Sequence, residues 1–163
     1  MTITSSRSAT KAADPRTLVS AEVFDKIARH FAALHHVTQT YAERATAQML
    51  LMLEAHAAAH VDTEFGMLLP TGERYRVVPT EPVDAAWHAA LQITEPYAEA
   101  CQQIAGRFIH HRPIITGEML DGTAIEYTRK ALDATGYYVD PEFWNGEAES
   151  CCPPNPPQPG ITG

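Results

Sequence analysis

The chain has little of what several large function classes need. Lysine and arginine number 12 against 20 aspartates and glutamates, a formal charge of −8 over 163 residues. There is no basic field for a phosphate backbone to meet, so nucleic acid is not an expected partner. Long apolar runs are missing: the longest, Met49 to Leu53, falls far below the roughly 20 residues of a bilayer-crossing helix. Residues 1–16 have no apolar core of the signal-peptide kind, and a soluble, cytoplasmic protein without membrane contact is expected. Cysteine is scarce, with Cys101 isolated and Cys151 adjacent to Cys152. That is not the even, spread framework of a disulfide-stapled secreted domain, which leaves metal binding or free thiols as cysteine roles. Glycine and proline are absent from Tyr41 to His60, whereas proline fills five of the last eleven positions and denies that end regular structure.

What remains reads as mainly α-helical. Residues 1–16 are small and polar and predict a mobile arm; residues 17–145 predict one α-helical domain; residues 146–163 form a Cys/Pro-rich tail. Within the domain, Val23, Phe24, Ile27, Phe31 and Leu34 fall at helical spacing behind Ser20, a residue suited to capping the first turn. Tyr41 to His60 predicts the longest helix, with Ala45, Met49, Met52, Leu53 and His56 inward. Between Val61 and Glu81 the helical period is lost, and an irregular loop is expected in preference to a hairpin around Thr71-Gly72. A third helix starts after Pro82. A fourth starts at Thr94-Glu95-Pro96, with Thr94 as its hydroxyl cap, and stops at Gly106. Arg107 to Thr116 predicts extended chain, Asp121 to Thr135 a fifth helix ended by Gly136, and Asp140 to Trp144 one further turn. The expected fold is a compact bundle of about five helices with an irregular or short-hairpin insertion and a proline-rich tail.

Candidate chemistry is concentrated between Pro82 and Pro113. Asp84 and His88 stand four apart on one helix and point to the same side. Cys101 lies one turn after Tyr97 on the next helix. His110 and His111 follow on extended chain, where alternate residues face opposite sides, so one of the two faces the helices. Imidazole, carboxylate and thiolate together are the ligand set of zinc or another first-row transition metal, not of calcium or magnesium. His88, Cys101, His110, His111, Cys151 and Cys152 are accordingly the candidate metal ligands, and Tyr97 and Asp84 the candidates for catalytic work. The competing account makes these histidines hydrogen-bonded core residues, Cys101 a small buried hydrophobe, and Trp87 and Tyr97 packing residues. A second candidate, His56 and His60, places two imidazoles one turn apart, without the glutamate that a His-Glu-x-x-His protease motif needs.

Asp84-x-x-Trp87-His88, Tyr97, Cys101, Gly106-Arg107-Phe108 and His111-x-Pro113 together resemble the conserved block of the glycine-rich domain-containing protein-like family. Leu18-Val19-Ser20 and Ala42-Glu43-Arg44 resemble its small bacterial members, so the likeness spans about residues 17 to 145. Eukaryotic members carry a second histidine two residues after the one matching His88, and here that position is Ala90. The resemblance implies an α-helical domain with a shared functional site. The expected function is a metal-binding protein, zinc foremost, extending to a small metal-dependent enzyme of bacterial specialised metabolism that acts on a small molecule. The alternative is a non-catalytic interaction or scaffold module whose Cys151-Cys152 tail docks to a protein partner or is modified.

Overall fold

Ser20 starts the first long element. Its backbone is extended and its hydroxyl accepts the Val23 amide (3.3 Å), satisfying one of the free donors of helix α1, Ala21–His35. The helix stops at His36, which adopts the left-handed conformation (φ 53°) and returns its amide to the Ala32 carbonyl. Its buried face is Val23, Phe24, Ile27, Ala28 and Phe31; Leu34, expected on the same face, lies in the last turn and is exposed. The computed structural model describes residues 11–58, 77–111 and 122–147, together with the backbone of 61–63, 66–68 and 74–75.

A short link leads into α2, Gln39–Ala58. This helix is not amphipathic in the ordinary sense, because every residue from Ala45 to Leu53 is buried. The reason is its central place: α2 packs against α1 and against the later helices α3, Glu81–Gln92, α4, Thr94–Ala105, and α5, Thr123–Ala134. A helix surrounded by neighbours has no solvent face to keep polar. The inward set expected from the sequence was therefore too narrow.

The segment after α2 departs from the loop expected there. Three short strands, β1 (Val61–Thr63), β2 (Gly66–Leu68) and β3 (Arg74–Tyr75), form an antiparallel sheet in the order β1-β2-β3. The hairpin that the apolar runs on either side of Thr71-Gly72 would allow is realised, with Met67 opposite Tyr75 and Leu68 opposite Arg74. The additional strand β1 pairs Val61 with Met67. Strands of two or three residues are too short to show a two-residue period in sequence.

Thr80 precedes α3 but does not cap it, because its hydroxyl donates to the Phe143 carbonyl instead. Thr94, expected as the cap of α4, is instead its first residue, and no side chain caps that helix. Gly106 ends α4 in the left-handed conformation (φ 67°) with its amide on the Gln102 carbonyl. After that turn, residues 107–111 continue as non-helical chain, held to α4 where the Tyr97 hydroxyl meets the Ile109 carbonyl.

The C-terminal part closes over α2. Gln48, buried in mid-helix, accepts the Asp140 amide (3.1 Å) and the Trp144 indole N–H (2.8 Å), and donates to the Tyr138 carbonyl (3.2 Å). The last helix, α6 (Pro141–Trp144), starts at Asp140, whose carboxylate accepts the Glu142 amide (3.2 Å) and pairs with Arg44. Residues 13–18 differ from the arm expected for residues 1–16. Ala13 exchanges backbone hydrogen bonds with Gly136 and Tyr138, and Pro15–Leu18 forms a 3-10 turn. Residues 1–10 of the expected arm and most of the proline-rich tail, including Cys151 and Cys152, lie outside the described residues. No helix among the described residues is long and apolar enough to cross a membrane.

Candidate metal centre

Helix α3 supplies two of the converging side chains. Asp84 lies in its first turn, near the positive end where a carboxylate is favoured, and His88 follows one turn later on the same side. The third comes from the chain after Gly106. There burial alternates along the chain: Ile109 is buried and His111 nearly so, while Phe108 and His110 are exposed. Of the two adjacent histidines, His111 is the one that faces α3.

The Nε2 atoms of His88 and His111 are 3.0 Å apart. Asp84 Oδ1 lies 3.2 Å from His111 Nε2, and Asp84 Oδ2 lies 3.4 Å from His88 Nε2. The three residues form a group whose ligand atoms could hold a metal ion. Beside an ionised carboxylate, protons on the two rings alone cannot satisfy all three of these edges, because an imidazole nitrogen presents either one N–H or one lone pair in its plane. If His88 Nε2 carries the hydrogen, the lone pair of His111 Nε2 faces Asp84 Oδ1. If His111 Nε2 carries it, the lone pair of His88 Nε2 faces Asp84 Oδ2. If both carry one, two N–H groups oppose each other across 3.0 Å. A cation accepts all three lone pairs at once. The ligand atoms of a tetrahedral centre with bonds of about 2.0–2.1 Å stand roughly 3.3 Å apart, so the observed separations are already close to those of a ligand set.

The group is buried on one side and open on the other. The side chains of Asp84 and His111 are 7% and 11% exposed, that of His88 48%. The inner wall is Trp87, whose ring centroid lies 4.2 Å from that of His111. Behind it stands Tyr97, fully buried, whose hydroxyl accepts the Trp87 indole N–H (2.9 Å) and donates to the Ile109 carbonyl (2.6 Å). Burial pushes the Tyr97 hydroxyl well above the ordinary tyrosine range, with the neighbouring Cys101 adding to the effect and the Trp87 bond opposing it.

The remaining candidates are placed elsewhere. His110 is exposed, with its ring 4.8 Å from that of Phe108, and does not join the group. Cys101 is a buried free thiol beside Tyr97 and is not among the three converging residues. His56 lies on α2, and burial, reinforced by the charge of Arg107, holds its pKa below the ordinary value. Its expected companion His60 lies outside the described residues, as do Cys151 and Cys152. Reading the sequence alone left Trp87 as packing and gave Ile109 no role. The signal that would have found Ile109 is its spacing of two from His111, which puts both on one side of extended chain. Compared with known proteins, the chain matches no family model, no curated protein and no solved structure.

Proposed function

We propose that Asp84, His88 and His111 bind a first-row transition metal ion, zinc foremost. The observation that carries this reading is the mutual approach of two imidazole nitrogens and a carboxylate, with one nitrogen pair at 3.0 Å, an arrangement that a cation would complete. Neutral imidazole and carboxylate suit zinc, and two histidines with one carboxylate also suit iron(II), which is the main competitor for the site. Cys151 and Cys152 are proposed as thiolate donors that would tilt the choice toward zinc.

An ion held here is reached from the side of His88, the most exposed of the three. A water bound on that side would have a lowered pKa and serve as nucleophile or base, the basis for a small metal-dependent enzyme of the cytoplasm. In that role Asp84 would be a ligand, and the Tyr97 hydroxyl, which donates to the Ile109 carbonyl, would serve to hold the site's geometry. Kinship with the glycine-rich domain-containing protein-like family is proposed on the same stretch, Asp84 to Pro113. The test is metal analysis of protein purified without an affinity tag. About one equivalent of metal, lost in His88→Ala, is the expected result; metal well below one equivalent, and unchanged by His88→Ala, would overturn the proposal.

A further inference from the structure

We propose that the Tyr97 hydroxyl is the positioning group of this centre: it pins the backbone register that presents His111, and not His110, to α3. The inference rests on the reading of Asp84, His88 and His111 as a metal site, but its geometry can be tested without a metal. A single oxygen joins the two elements that carry the converging residues. It accepts from Trp87, which is adjacent to His88 and three residues from Asp84, and it donates to the carbonyl of Ile109, two residues before His111. Both partners are short and direct, at 2.9 and 2.6 Å, and the Tyr97 side chain is fully buried.

The consequence follows from the two-residue alternation of extended chain. With Ile109 anchored facing inward, His111 faces inward and Phe108 and His110 face solvent. A slip of one residue would exchange the faces, turning His110 toward α3 and exposing His111. Two adjacent histidines make such a slip chemically tolerable, because either can offer an imidazole. The Tyr97–Ile109 bond therefore selects between them. Trp87 then packs its ring on the imidazole that has been selected, at 4.2 Å.

The experiment compares wild type, Tyr97→Phe, Trp87→Phe and Gln48→Leu. Phenylalanine keeps the ring edge-on to Phe108 (5.3 Å) and removes only the hydroxyl, so the fold is retained. In the metal-free proteins, NMR of the histidine ring protons reads the ring-current shift that Trp87 imposes on His111. In Tyr97→Phe that shift is expected to collapse, and zinc affinity is expected to fall by about 10- to 100-fold, the usual effect of losing a group that orients a ligand. His111→Ala is expected to cost less affinity in the Tyr97→Phe background than in wild type, because His110 then substitutes. Gln48→Leu destabilises the fold at a distance and is expected to leave both the shift and the affinity unchanged. Trp87→Phe keeps the bond to Ile109 and is expected to retain most of the affinity. An unchanged His111 shift in Tyr97→Phe, or equal affinity losses in Tyr97→Phe and Gln48→Leu, would overturn the inference. If wild type binds no zinc while the shift still collapses in Tyr97→Phe, the positioning role stands and the metal reading falls.

Discussion

His88 and His111 approach through the same ring atom, Nε2 to Nε2 at 3.0 Å, although they are 23 residues apart and belong to different elements. Two basic nitrogens aimed at each other beside a carboxylate are the part of this structure that core packing explains least. Removing either should therefore cost more affinity for zinc than the about 10- to 100-fold typical of losing an orienting group. Asp84→Asn should also weaken binding, because the amide puts an N–H donor where a carboxylate oxygen stood. His110→Ala should bind as wild type does, since His110 faces away. Isothermal titration with zinc of the four metal-free variants checks this order, and an equal loss in His110→Ala and His111→Ala would contradict it.

Gln48 should matter to stability and not to the metal. It occupies a buried position on α2 and satisfies three groups of the 138–144 segment. Leucine fills similar volume but leaves the Asp140 amide, the Trp144 indole N–H and the Tyr138 carbonyl without that partner. Each buried polar group left unmade costs about 1–3 kcal/mol, and partial access to water lowers the sum, so a loss of about 2–4 kcal/mol is expected. Urea denaturation of Gln48→Leu measures it, and zinc affinity should stay at the wild-type value.

Much of the helical framework was legible because local chemistry marks it. Ser20 caps α1 and Gly106 ends α4 where the sequence places them, and one turn of helix follows Asp140. The pairing of Asp84 with His88 was legible for the same reason, since both lie on one helix at a spacing of four. The choice of His111 over His110 was not, because alternation limits the choice to one of two faces and only the tertiary bond from Tyr97 to Ile109 decides which. Thr94 failed as a cap because α4 follows α3 after the single residue Ile93, leaving no separate turn for a hydroxyl to close. The all-round burial of α2 was hidden for a related reason: it depends on how many neighbours a helix acquires, which its own composition does not encode.

The tail offers a test that separates two accounts of Cys151 and Cys152. If the thiolates complete the metal centre, Cys151→Ser with Cys152→Ser lowers zinc affinity and removes the sulfur-to-metal charge-transfer band from the cobalt-substituted protein. If the tail is instead a docking or modification segment, both variants bind as wild type does and no such band is present at the outset. Deleting residues 148–163 should leave the thermal stability of the metal-free protein nearly unchanged in either case. The contacts that hold the end of the fold, from Arg129 to the Trp144 and Gly146 carbonyls (2.8 and 2.9 Å), lie before that point.

Stability should fall at both ends of the pH range, for opposite reasons. Burial raises the pKa of Tyr97 in the folded state, so the folded protein keeps a proton that the unfolded chain releases above about pH 10, the ordinary value. Its contribution is complete below that pH and is lost as pH rises toward the folded value. At the acid end, burial and then the charge of Arg107 lower the pKa of His56, so the unfolded chain takes up a proton below about pH 6.5 that the folded protein resists. That contribution is complete above the ordinary histidine value and is lost as pH falls through the depressed one. Denaturant unfolding of metal-free protein at about pH 5, 7, 9 and 11 reads both effects. Tyr97→Phe should flatten the loss above pH 10 without changing the acid limb, and His56→Gln should do the reverse. Parallel curves for wild type and both variants would show that neither group is held in its neutral form by the fold.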